Sequence, residues 1–141
     1  MFNPPAHLSS NPSSNRFLKQ VLTVDSAVSL AAGVLQVAAS SALQGLTGIS
    51  STLYLATGLF LLVFGVLVGV LAWLDHPPSA LVWLLIAGNA GWALASAALV
   101  FQPMGSYTAV GQSYLVFNAV WVVLMASLEF VGLQRREQAI A

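Results

Sequence analysis

The chain has 141 residues, 58% hydrophobic and 6% charged, with four Lys/Arg balancing four Asp/Glu to a formal net charge of zero. Ordinary soluble domains carry about 25% charge, so this chain lacks the polar surface needed to face water and reads as a membrane protein. Four cations in a neutral chain cannot build a nucleic-acid surface, and the absence of cysteine rules out disulfides, thiolate metal sites and a Cys nucleophile.

Residues 1–15 are rich in Asn, Pro and Ser and read as a disordered tail. The first apolar segment, about 17–39, carries Lys19, Asp25 and Gln36. As a cleaved signal peptide it would use Arg16 and Lys19 as its basic region and Ser40-Ser41-Ala42 as its cleavage site. Asp25 interrupts such an apolar run and the leading tail is long, so a retained helix is the better reading. A Gly/Ser/Thr-rich link from about Ser40 to Thr52 follows, within which Leu43 to Ile49 fits a short interfacial turn.

The second and third segments, about 53–74 and 80–101, contain no charge. The turn Asp75-His76-Pro77-Pro78-Ser79 between them is short and proline-stiffened, which predicts that these helices are antiparallel neighbours. Asp75 reads as a turn former, and His76 as a solvated side chain or a proton acceptor. After a second polar link, about 102–112, the fourth segment, about 113–133, contains only Glu129, and residues 137–141 form a tail. A helical crossing needs about 20 mostly apolar residues. Residues 16–136 therefore read as one all-α domain, an antiparallel up-down bundle of four transmembrane helices.

Arg16 and Lys19 precede the first span, and Arg135 and Arg136 follow the fourth, so four crossings put every basic residue on one side. The positive-inside rule makes that side the cytoplasm, with both termini and the 75–79 turn. Trp73 and Trp83 flank the inner turn, while Tyr54, Tyr107 and Tyr114 fall toward the outer face, as interfacial belts do.

Asp25, Ser29, Ala32 and Gln36 follow 4-3-4 spacing on one face of the first helix, as do Asn118, Met125 and Glu129 on the fourth and Asn89 and Ser96 on the third. Polar side chains in hydrocarbon face other helices rather than lipid. At 1.5 Å per residue, Asp25 and Glu129 share a layer about 6–13 Å inside the cytoplasmic end, with Asn89 just deeper and Gln36 and Asn118 toward the outer half. Lys19 or Arg16 snorkelling to Asp25, and Arg135 or Arg136 reaching Glu129, would make these acids purely structural. So would headgroups reaching Glu129, and Asn and Ser side chains acting as hydrogen-bond glue between helices; the alternative is that the layer handles protons or a solute. Trp92 and Trp121 fall near mid-membrane and need an acceptor, for which Asn89 or Asn118 would serve.

Small residues form a second pattern. Gly58, Gly65 and Gly69 share a face of the second helix, and Gly88 and Gly91 lie on the third. Such faces allow close helix packing, within the bundle or between two copies.

The order of Val24-Asp25-Ser26, Asn89-Ala90-Gly91-Trp92 and Glu129-Phe130-Val131-Gly132-Leu133-Gln134-Arg135-Arg136 resembles that of small four-helix bacterial inner-membrane proteins with no assigned activity. The similarity spans about residues 16–136 and implies that fold and the bacterial inner membrane, not a chemistry.

His7 and His76 lie outside the spans, so no bis-His haem or metal site is expected, and no other cofactor or enzymatic constellation is recognisable. The lipid bilayer is one partner, together with a membrane-protein partner or a second copy. An accessory or assembly subunit of a larger membrane complex is the first reading. A proton-linked small-solute carrier, working as a homo-oligomer through the Asp25/Glu129 layer, is the alternative.

Overall fold

A computed structural model describes residues 12–101 and 107–138. Residues 1–11, 102–106 and 139–141 lie outside the described residues, and with them His7 and most of the stretch read as an N-terminal tail. The described chain is all-helical: α1 Pro12–Ala38, α2 Ser40–Thr47, α3 Ser51–Trp73, α4 Ser79–Val100 and α5 Ala109–Gln138. The four long helices have the length and apolarity to cross a membrane, which marks a multi-pass membrane protein.

The ends differ from the sequence reading for local reasons. α1 starts at Pro12, inside the stretch read as tail, because proline suits the first helical turn, where its missing N–H is not needed. α5 runs on to Gln138, and Arg135 and Arg136 in its last turn complement the helix dipole. The interfacial turn foreseen at Leu43 to Ile49 is a helix, α2, set earlier. Gly48 ends it at φ 76°, a left-handed conformation that favours glycine, and its N–H bonds to the Gln44 carbonyl. Ser50 then caps α3 by accepting from the Leu53 N–H.

α3 packs closely on α1, α4 packs closely on α5, and α1 also meets α5. α3 and α4, foreseen as neighbours because of their short turn, form no comparable backbone contact. A short connection fixes only adjacent helix ends, whereas glycines decide where backbones meet. A Cβ added at Gly58 would lie 2.9 Å from Gln36 Cβ, one at Gly65 2.8 Å from Leu30 Cγ, and one at Gly69 2.8 Å from Ser26 Oγ, so this face of α3 is spent on α1. Ser26 adds a 2.7 Å hydrogen bond to the Gly65 carbonyl across the same contact.

Gly88 and Gly91 do not repeat this pattern. A Cβ at Gly88 meets only Phe64, at 3.9 Å, and one at Gly91 meets nothing within 4 Å. They share the spacing of a packing face, but no helix backbone approaches them.

At one end of the bundle the start of α1, the α3–α4 turn and the end of α5 converge. Lys19 Nζ pairs with Asp75 Oδ1 at 2.9 Å, and the ammonium holds the Asp75 carboxyl below the usual carboxylate range. Arg136 donates to the Pro77 carbonyl and the Ser79 hydroxyl at 2.6 and 2.9 Å, and Arg135 lies over the Phe17 ring at 5.1 Å. Above this layer, Leu18, Leu22, Val68, Leu71, Val82, Leu85 and Leu133 close an apolar cluster. At the other end Ile49, Tyr54 and Leu115 form a smaller one. There the Thr108 N–H bonds to the Thr47 carbonyl at 3.0 Å, tying α5 to α2.

Candidate functional site

Between the two apolar clusters lies a polar layer, built from the faces that the helical spacing marks out. Asp25, Asn89 and Glu129 come together there, all buried, with Glu129 at 0% exposure. One nitrogen, Asn89 Nδ2, donates to Glu129 Oε2 at 3.2 Å and to Asp25 Oδ2 at 3.5 Å. Through this shared amide the two carboxyls sit in one cluster, and Ser29 stands beside Asp25 in the wall of an adjoining cavity. Glu129 Oε1 is buried with no partner among the described residues.

The basic residues suggested as local counter-ions go elsewhere. Lys19 is held by Asp75, Arg136 by the α3–α4 turn and Arg135 by Phe17, while Arg16 is exposed. Among the described residues no ion pair reaches Asp25 or Glu129. Two carboxylates in a low-dielectric interior are costly unless a proton or a positive charge offsets them, and the described residues supply no fixed cation.

A cavity of about 290 Å³ adjoins this layer among all four long helices. α1 contributes Asp25, Ser29, Ala32 and Gln36, the same stripe read from the sequence. α3 contributes Phe60 and Phe64, α4 contributes Gly88, Asn89 and Trp92, and α5 contributes Tyr114, Phe117, Asn118 and Trp121. The space exists because α3 leans on α1 and α4 on α5, leaving the α3–α4 side spanned by side chains. Phe60 and Trp92 stack across it, with centroids 5.2 Å apart and planes at 6°.

Gln36 and Asn118 do not join the acidic cluster. Gln36 Nε2 donates to the Tyr114 hydroxyl at 2.8 Å, and its Oε1 accepts from Thr57 Oγ1 at 2.6 Å, knitting α1, α3 and α5. Asn118 Oδ1 accepts from Trp92 Nε1 at 3.3 Å, one of the two acceptors suggested for that indole. Of Tyr54, Tyr107 and Tyr114, read as an outer interfacial belt, Tyr54 is buried in the bundle and the other two are half-buried beside it. Tyr54 donates to Thr47 Oγ1 at 2.9 Å, because a hydroxyl near a polar helix end gains more from an interior acceptor than from the interface. Trp73, in contrast, is 89% exposed beside the α3–α4 turn.

The sequence reading missed Thr57, Tyr114 and the phenylalanine walls as site residues. Their only trace is the spacing of four in Phe60/Phe64 and Phe117/Trp121, which lipid-facing residues show equally. Among the described residues no group of three His, Cys, Asp or Glu is placed to hold a metal ion. No protein-family model, curated protein or solved structure matches the chain.

Proposed function

We propose that this chain is a proton-linked carrier of a small, largely apolar solute, bound among the four spans of a single chain. The observation that carries this reading is the cavity with Asp25 and Asn89 in its wall and Glu129 completing the cluster. Binding sites are typically concave, mostly apolar and furnished with a few convergent polar groups. About 290 Å³ is close to the lower end of that class, which suits a small solute. The carboxyl pair supplies an exchangeable proton beside the solute. The cavity lies within one chain, so a homo-oligomer is not needed to provide space.

The same reading includes four crossings in up-down order, with both termini and the 75–79 turn on the cytoplasmic side of a bacterial inner membrane. The convergence of the Lys19, Arg135 and Arg136 side chains at one end of the bundle, with Arg16 less than a turn of α1 away from Lys19, supports it. The accessory-subunit reading asks only for complementary helix faces, and nothing in the geometry favours it over a carrier.

The test is thermal stabilisation of the purified chain by a panel of small amines, acids and neutral apolar compounds. At least one class should raise the melting temperature of the wild type but not of Gly88→Leu. The new side chain enters the cavity while its Cβ makes only an ordinary 3.9 Å contact with Phe64. A panel that stabilises neither protein, together with recovery of a stoichiometric membrane partner in mild detergent, would return the chain to the accessory class.

A further inference from the structure

We infer that the solute is an apolar organic cation, an amine or onium group carrying aromatic or alkyl substituents, which displaces a proton from the Asp25–Glu129 pair. This rests on the carrier reading above and narrows it to one chemical class.

The donors and acceptors around the cavity are unequal. Its side-chain N–H donors are all neutral and several are already engaged, Asn89 on the two carboxylates, Gln36 on the Tyr114 hydroxyl and Trp92 on Asn118, which leaves Asn118 Nδ2 and Trp121 Nε1. Anions and sugars need such donors, and an anion would also meet two carboxyls with no fixed cation nearby. What the site offers is acceptor capacity at Asp25, with Glu129 Oε1 unpartnered among the described residues in the same cluster, and an aromatic lining at Phe64, Trp92 and Trp121, where Trp92 stacks on Phe60 and Trp121 on Phe117. Ring faces attract cations, most strongly when water is excluded. A carboxylate floor under aromatic walls fits a positive centre on an apolar body.

Charge balance fits the same ligand. When a monocation enters, one carboxyl O–H bond ionises, its proton leaves to solvent and its electron pair stays on the carboxylate, so no other bond changes and the net charge of the site is conserved. Access fits as well. Phe60, in the stacked pair that spans the α3–α4 side, is itself 51% exposed on the lipid-facing surface. A solute already dissolved in the bilayer thus meets side chains rather than packed backbone at this wall.

The experiment is equilibrium binding of methyltriphenylphosphonium to the purified full chain in detergent, beside the near-isosteric neutral triphenylphosphine oxide. The cation should bind saturably and release one proton into weakly buffered solution. Its affinity should fall about tenfold per pH unit on the acid side, as linkage to one proton requires. Asp25→Asn should weaken it by about tenfold or more, because a buried charge loses its counter-charge. Trp92→Ala should weaken it by about two- to thirtyfold.

Comparisons on the wild type need no variant to fold. Equal affinity for the neutral oxide, absence of proton release, or displacement of the phosphonium by sodium at matched ionic strength would each overturn the inference. So would unchanged binding to Asp25→Asn with a wild-type melting temperature. Binding of the oxide alone, abolished by Gly88→Leu, removes the cation and leaves a small-solute carrier. If the panel and both probes fail to bind, the carrier reading falls as well.

Discussion

Asn89 serves two carboxylates from one side-chain nitrogen, and among the described residues no other amide reaches either acid. Replacing it with leucine keeps the bulk and removes the donor that both buried acids share among the described residues. The expected cost is about 1–3 kcal/mol, the penalty for an orphaned buried polar group. Glu129→Gln should be close to neutral for stability, because its amide brings its own N–H toward Asp25 while keeping the shape. Reversible unfolding in mixed micelles measures both, and an Asn89→Leu protein as stable as wild type would show that the cluster does not hold the bundle together. Asp25, Asn89 and Glu129 were legible in the sequence because polar residues within spans are few and must face the interior. Their partners were not. Lys19 is close enough along α1 to serve Asp25, yet it binds Asp75, a pairing that depends on which end of α3 lies beside α1.

Spacing along one helix identifies a face but not what covers it, and the glycines show the difference. Gly58, Gly65 and Gly69 on α3 meet α1, while Gly88 and Gly91 on α4, just as regular, meet a cavity wall and open space. Gly33, never singled out in the sequence, lies under α3 so closely that an added Cβ would be 2.9 Å from the Gly58 carbonyl oxygen. Gly111 is tighter still, against the backbone carbonyl of Thr47. That carbonyl is fixed by the Thr108 N–H, so it cannot yield without loosening α5 from α2. Gly111→Ala should therefore cost about 1–3 kcal/mol, as overpacking against an immovable neighbour does. Gly91→Ala should stabilise by up to about 1 kcal/mol, since alanine favours the helix and its methyl meets no neighbour. Melting the two variants side by side separates contact from propensity. A neutral Gly111→Ala would mean that α2 can slide.

At the scale of the whole molecule, hydropathy marks the number and approximate limits of the long helices, because the length of an apolar run is a local property. Their arrangement is not local. The α3–α4 turn predicts neighbours, which meet through side chains, while the closest backbone packing is α1 with α3 and α4 with α5, so the cavity between these pairs has no signature in any single segment. Sidedness is the remaining global property, and the chain suits a direct test because it contains no cysteine. Gly45 lies in α2, where an added Cβ meets nothing within 4 Å, and His76 is exposed in the α3–α4 turn at the opposite end of the bundle. A single cysteine at either position should leave the fold intact. With all four basic residues toward the His76 end, a membrane-impermeant maleimide should label Gly45→Cys in intact spheroplasts and His76→Cys only after permeabilisation. The reverse pattern would invert the protein and place the Asp25–Asn89–Glu129 layer nearer the outer surface. Labelling of both positions in intact spheroplasts would mean that these helices do not cross as proposed, and the buried carboxyls would lose the hydrocarbon setting that makes their unpaired charge consequential.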